Sequence, residues 1–226
     1  MASLPESPPE APPILYRSAA LVAVDKPSGL AVHRGQSHDR FHALQLVRDS
    51  VGAYVYPVHR LDRATSGVLV FALSAEAARA LGSAFEQGTV KKRYVALVRG
   101  TPPEHARVDH ALSQEDDKPA QSAVTELSTL CRYGRYALVE ARPETGRTHQ
   151  IRRHLKHLSC PIIGDVKYGK GEHNRFFRTH YGLHRLALHA ASLALVDPAT
   201  GEQVTIEAPM PEVLRSTLAA LAKETS

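Results

Sequence analysis

The residue best placed by its neighbours to do chemistry is Asp62, which sits in His59-Arg60-Leu61-Asp62-Arg63-Ala64-Thr65-Ser66-Gly67 between two arginines. Positive charge within a few ångströms favours an ionised carboxylate. Such a group suits a nucleophile or an electrostatic stabiliser better than a general acid, which must hold its proton. Taken alone, an Asp flanked by Arg is more often a surface carboxylate in a local ion pair. The apolar run Val68-Leu69-Val70-Phe71-Ala72 follows at once and reads as a buried strand that would anchor the polar segment.

Two further segments carry polar groups on core-like elements. Val90 to Val98 reads as a strand that begins basic and ends apolar, with Tyr94, Ala96 and Val98 on one face and Tyr94 at the polar end. By residue chemistry alone, Tyr94 is a buried ring whose hydroxyl reaches water. In the stretch Glu144 to Leu155, Thr148 can cap a helix striped by Ile151, Leu155 and Leu158, leaving His149, Arg153 and Lys156 on a basic face. Arg152 lies about 100° round from Ile151, where it can snorkel to solvent or reach inward to a carboxylate.

The string around Asp62 resembles the active-site signature of RluA-family pseudouridine synthases, H-R-L-D-x-x-T-S-G, with every fixed position present. Val22 to His33, with its Lys26-Pro27-Ser28-Gly29 turn, is similar to the segment that opens that family's catalytic domain. Tyr94 stands at the K-x-Y position, Thr145 to His154 matches T-G-R-x-H-Q-I-R-x-H, and Pro161 to Asp165, Tyr168-Gly169 and Leu186 to Ala190 match as well. The resemblance runs over residues 14–222 and implies an α+β fold, a mixed, largely antiparallel sheet flanked by helices with a central catalytic cleft.

The implied reaction converts a uridine in RNA to its C5-linked isomer with no cofactor. Asp62 would attack the ribose or the base, Arg152 would keep it ionised and oriented, and Tyr94 would hold the detached uracil by stacking. Leu61 and Ile151 would line the pocket, His59 and Arg147 would contact substrate, and Arg60 would fill the space left by the flipped base or meet a phosphate. The expected substrate is tRNA, at a uridine of the acceptor-stem type, with ribosomal RNA as the alternative within the family. A non-catalytic RNA-binding module is the alternative of another class. A glycoside hydrolase would need a second carboxylate, and none accompanies the matched motifs.

Composition agrees with a polyanionic partner. Lys and Arg number 28 against 23 Asp and Glu, a net charge of +5 in a chain that is 43% hydrophobic. Nine Lys or Arg and seven of the thirteen His fall between Arg147 and His189, with aromatic Tyr168, Phe176, Phe177 and Tyr181 interleaved, which reads as a surface for phosphates. The His149, His154 and His157 cluster lacks metal-site spacing, so no metal is expected. Cys131 and Cys160 read as free thiols, and His189 as structural.

Residues 1–13 carry five prolines and read as a disordered tail, leaving 14–226 as a single catalytic domain with no S4 RNA-binding domain. Without a signal peptide or an apolar run of membrane-spanning length, a cytoplasmic monomer is expected. The positioning elements are a strand at Leu21–Val24, a helix near Phe41–Arg48, a strand at Gly67–Leu73 and a scaffold helix capped by Ser74 and ended by Gly88. Residues 101–123 read as a loop with one short strand near Ala111-Leu112. Strands at Val124–Leu130 and Tyr136–Ala141, a hairpin of Ser192–Val196 with Val204–Ile206, and a helix from Glu212 to Ala222 complete the chain.

Overall fold

The computed structural model describes residues 9–34, 39–113 and 119–225. In chain order the elements are β1 (Ile14–Arg17), β2 (Leu21–Lys26), α1 (Ala43–Val51), β3 (Tyr56–Pro57), β4 (Ser66–Ala72), α2 (Ala75–Glu86), β5 (Lys91–Arg99), β6 (His105–Asp109), β7 (Val124–Tyr133), β8 (Tyr136–Pro143), α3 (Gln150–His157), α4 (Gly171–Tyr181), β9 (Leu188–Val196), β10 (Gln203–Glu207) and α5 (Glu212–Thr225). The strands form one mixed sheet in the order β1-β2-β4-β9-β5-β8-β7-β6, with β10 on β9 and β3 on β4. This is the α+β architecture expected above.

All seven residues of β4 are buried, which places it inside the sheet between β2 and β9. Its pairing with β9 is parallel, at Ser66 with His189 and Gly67 with Ala190, whereas β2 runs antiparallel to it from Leu21–Ala72 to Lys26–Gly67. Gly67 has φ +112°, and a Cβ there would overlap the Ala190 carbonyl. The glycine that closes the Asp62 string therefore serves the close approach of two strands.

Alternation along the strands sends apolar side chains to both faces. Val68, Val70 and Ala72 pack with α2 residues Ala77 and Leu81, while Leu69 and Phe71 pack with Ala43 and Val47 of α1. A third cluster joins β5 and β8 to α3, α4 and α5 through Leu97, Val139, Leu155, Phe177 and Leu214. Asp62 and Arg152 thus reach the site from opposite halves of the sheet.

Several expectations need correction. Residues 101–123 contain β6, a full strand on β7, beyond the Leu112–Gln121 bridge. Its exposed, charged outer face gives a weak apolar pattern, as edge strands do. Thr148 is not the cap of α3: His149 takes that place with φ +55° and no side-chain cap bond, and the Gln150 carboxamide closes the turn by accepting from Arg147 N–H (3.0 Å) and Thr145 Oγ1 (2.6 Å). Phe177 is fully buried and packs against Phe176 and Tyr181, so these rings serve the core instead of a phosphate surface. The helix expected at Phe41–Arg48 spans Ala43–Val51.

Of the tail, residues 1–8 lie outside the described residues; Pro12 is buried and the Pro13 carbonyl accepts from Asp25 N–H at 2.9 Å. No helix among the described residues is long and apolar enough to cross a membrane.

Candidate active site

The loop that carries Asp62 is fastened from below by the Lys26-Pro27-Ser28-Gly29 turn. Gly29 N–H donates to Arg63 O (2.8 Å) and Ser28 Oγ donates to Ala64 O (2.7 Å). Lys26 Nζ, fully buried, donates to Pro27 O, Leu30 O and Arg63 O at 2.9, 2.7 and 3.2 Å. Burial, with the Arg185 charge nearby, pushes the Lys26 amine down to about 7. On the far side Ser66 Oγ meets His189 Nδ1 at 2.8 Å and accepts from Arg185 Nη2 at 2.6 Å, while His189 Nε2 faces Ala208 O at 3.2 Å. His189 is occupied with structure, in line with its sequence reading.

Arg152 donates Nη1 to Asp62 Oδ2 at 3.0 Å, the pairing expected from the resemblance. It also makes a contact that sequence reading missed: Nε and Nη2 form a fork onto Asp165, at 2.8 and 2.9 Å. The Asp165 side chain has no exposed surface. Burial raises its proton affinity, but the Arg152 fork and the Tyr168 and Lys167 amides outweigh burial and hold the carboxyl below its ordinary value. Asn174 locks this turn by accepting from Gly164 N–H (2.8 Å) and donating to Asp165 O (2.9 Å).

A second group faces Asp62. His149 Nε2 lies 3.8 Å from Asp62 Oδ2, its Nδ1 is 3.0 Å from Tyr168 Oη, and the Arg152 guanidinium sits 5.1 Å over the Tyr168 ring. Burial holds the His149 imidazole below its ordinary value, with Asp62 pulling the other way. Arg63, expected to flank Asp62 with charge, turns away and pairs with Asp39 at 2.9 Å.

Asp62, His149 and Arg152 line a cleft of about 490 Å³. Leu61 and Ile151 are buried in its wall, and Tyr94 reaches it from β5. Burial, then the Asp62 charge, pushes the Tyr94 hydroxyl well above its ordinary value, so it keeps its proton. Arg60 is exposed at the rim. Arg147 borders the cleft with its Nε donating to Ser122 O (3.0 Å).

His59 is more committed than expected. Its Nε2 accepts from Val70 N–H (2.9 Å), its ring stacks on Phe85 at 4.6 Å, and burial pushes it down to about 3. The neutral imidazole therefore ties the Asp62 loop to β4. Gly82, Phe85 and Glu86 of α2 also line the cleft, so this helix is more than scaffold. Lys92 lines it too, donating to Thr145 O at 3.1 Å. Among the described residues no His, Cys, Asp or Glu group could hold a metal ion.

A model of the RNA pseudouridylate synthase family matches residues 20–157. The chain belongs to this family. Its curated relatives include tRNA pseudouridine synthase C of Pasteurella multocida, 44% identical over 216 residues, covering 85% of this chain and 89% of the relative. The enzyme of the same name from Vibrio cholerae is 42% identical, covering 91% and 93%. Among solved structures, human RNA Pseudouridylate Synthase Domain Containing 4 aligns with a TM-score of 0.77 and 28% identity over 92% of each chain. Human RNA Pseudouridylate Synthase Domain Containing 1, at 24% identity and TM-score 0.74, shows the same fold. The protein is a pseudouridine synthase, an isomerase, and the RluA-family resemblance is borne out.

Proposed function

We propose that this pseudouridine synthase isomerises a uridine of tRNA at an acceptor-stem site, with Asp62 as nucleophile and residues 14–226 as one catalytic domain. The observation that carries the reading is the Asp62–Arg152 contact at 3.0 Å in a cleft walled by Leu61, Tyr94 and Ile151. The relatives named tRNA pseudouridine synthase C support tRNA as the substrate.

The uridine leaves its stack at a cost of a few kcal/mol and enters the cleft. Asp62 attacks it, at the ribose or the base, while Arg152 holds the carboxylate in place. The N1 glycosidic bond breaks, the uracil rotates against Tyr94, and C5 bonds to the ribose as the bond formed by Asp62 breaks and returns its carboxylate. The C5 proton leaves, its electron pair restores the C5–C6 double bond, and N1 takes up a proton. Every atom is conserved and nothing is oxidised, so the reaction calls for no cofactor. Arg60 and Arg147 at the rim meet phosphates of the flanking nucleotides.

Tritium release from RNA labelled at uridine C5 tests the reading. Release from unmodified tRNA by the wild-type protein is expected. Release from ribosomal RNA alone would overturn the substrate, and release from neither would overturn the assignment of the cleft.

A further inference from the structure

We propose that Arg99, Arg135 and Lys170 form a second RNA contact, which grips the phosphodiester backbone well away from the flipped uridine. Three segments converge there. Arg99 ends β5 opposite Tyr136 of β8, and Gly100 N–H donates to Arg135 O in the β7–β8 turn (2.8 Å). Tyr136 Oη lies 3.1 Å from His173 Nδ1 in the first turn of α4, which Lys170 precedes. Arg135 and Lys170 are exposed and Arg99 is half-buried.

These cations differ from the arginines that serve the sheet. Arg93 and Arg142 both pair with Glu140, and Arg107 pairs with Glu144. Among the described residues none of the three pairs with a carboxylate. Glu172 is the acid beside them. The His173 imidazole, held low first by burial and then by Arg99, Arg135 and Lys170 against Glu172, reports the same accumulation of positive charge. Unpaired cations gathered without a structural partner fit a phosphate backbone, which guanidinium forks match bidentately.

The surface is remote from the chemistry. Pro143 of β8 lines the cleft and Tyr136 opens that strand, a run of seven residue steps or roughly 23 Å at the usual strand rise. One flipped nucleotide does not span that distance, whereas a folded RNA does. The surface would therefore distinguish a whole tRNA from a fragment of it. This inference rests on the reading of the cleft as an RNA site.

The test compares wild type with Arg135→Glu/Lys170→Glu, two exposed positions outside the cleft, on a full-length tRNA transcript and on a short hairpin bearing the target stem. With full-length tRNA, binding should weaken roughly tenfold and the salt dependence should lose about two counterions of slope. Turnover of the hairpin should be unchanged. Arg99→Gln should shift full-length binding in the same direction. Unchanged binding and slope would overturn the proposal, as would equal losses on both RNAs, or wild-type binding displaced by polyglutamate or anionic vesicles but not by excess RNA. A wild-type protein that binds tRNA yet releases no tritium from either RNA would count against the cleft, and the binding comparison would still decide the surface.

Discussion

Arg152 gives two hydrogen bonds to Asp165 and one to Asp62, so the guanidinium that touches the proposed nucleophile is held chiefly by a carboxylate buried away from the cleft. Asp165 fixes the guanidinium plane and leaves Nη1 turned to Asp62. Removing one partner of a buried ion pair costs about 3–5 kcal/mol. Asp165→Asn should lower the denaturation midpoint and reduce kcat more than tenfold with KM little changed. A raised KM with intact kcat would instead mean that Arg152 works by binding RNA.

The same pair sets an acid limit on stability. Asp165 has its carboxyl depressed in the fold, so its stabilising contribution is present above the unfolded value near 4 and is lost as pH falls through the lower folded value. Urea melts between pH 6 and pH 2 should show that loss in the wild type and a shallower one in Asp165→Asn. Parallel curves would refute the depression.

Lys26 tests the floor of the catalytic loop. Its amine titrates near 7 in the fold against about 10.5 in the unfolded chain, so across that window the unfolded state binds more protons and stability rises with pH. Lys26→Met strands three carbonyls, each at about 1–3 kcal/mol, and removes the slope. The stability gap between wild type and variant should widen from pH 7 to pH 10. A constant gap would mean that Lys26 stays an ammonium, satisfied by its three acceptors.

Tyr94 keeps its hydroxyl proton because burial and Asp62 both oppose the phenolate. Its proposed role is therefore that of the ring, stacked on the uracil. Tyr94→Phe should lose less than tenfold in kcat, and Tyr94→Ala more than a hundredfold, a gap of more than one decade of rate, which is over about 1.4 kcal/mol. Equal losses would assign the role to the hydroxyl.

What the sequence revealed and what it hid have physical reasons. The Asp62 string, Tyr94 and Arg152 stand in long motifs, so the resemblance brings them together, and the apolar run Val68 to Ala72 of β4 announces a central strand. Asp165 was hidden because its value comes from a fork on Arg152 thirteen residues earlier; the signal was an acid alone amid the cations from Arg147 to Lys170. The tie of His59 to β4 was hidden because its partner, the Val70 amide, is backbone and leaves no mark in a sequence. Phe177 looked like a surface aromatic since α4 shows only two apolar turns, and burial is set by α5 packing from the far end of the chain.

The most direct test of the central claim is tritium release from C5-labelled tRNA by Asp62→Asn, with tRNA binding measured on the same preparation. The substitution keeps the side chain's size and an oxygen for Arg152 while removing the carboxylate charge. The account predicts no release above background with tRNA binding within a few fold of wild type. Sustained release by Asp62→Asn would contradict it and take the nucleophile's role away from Asp62.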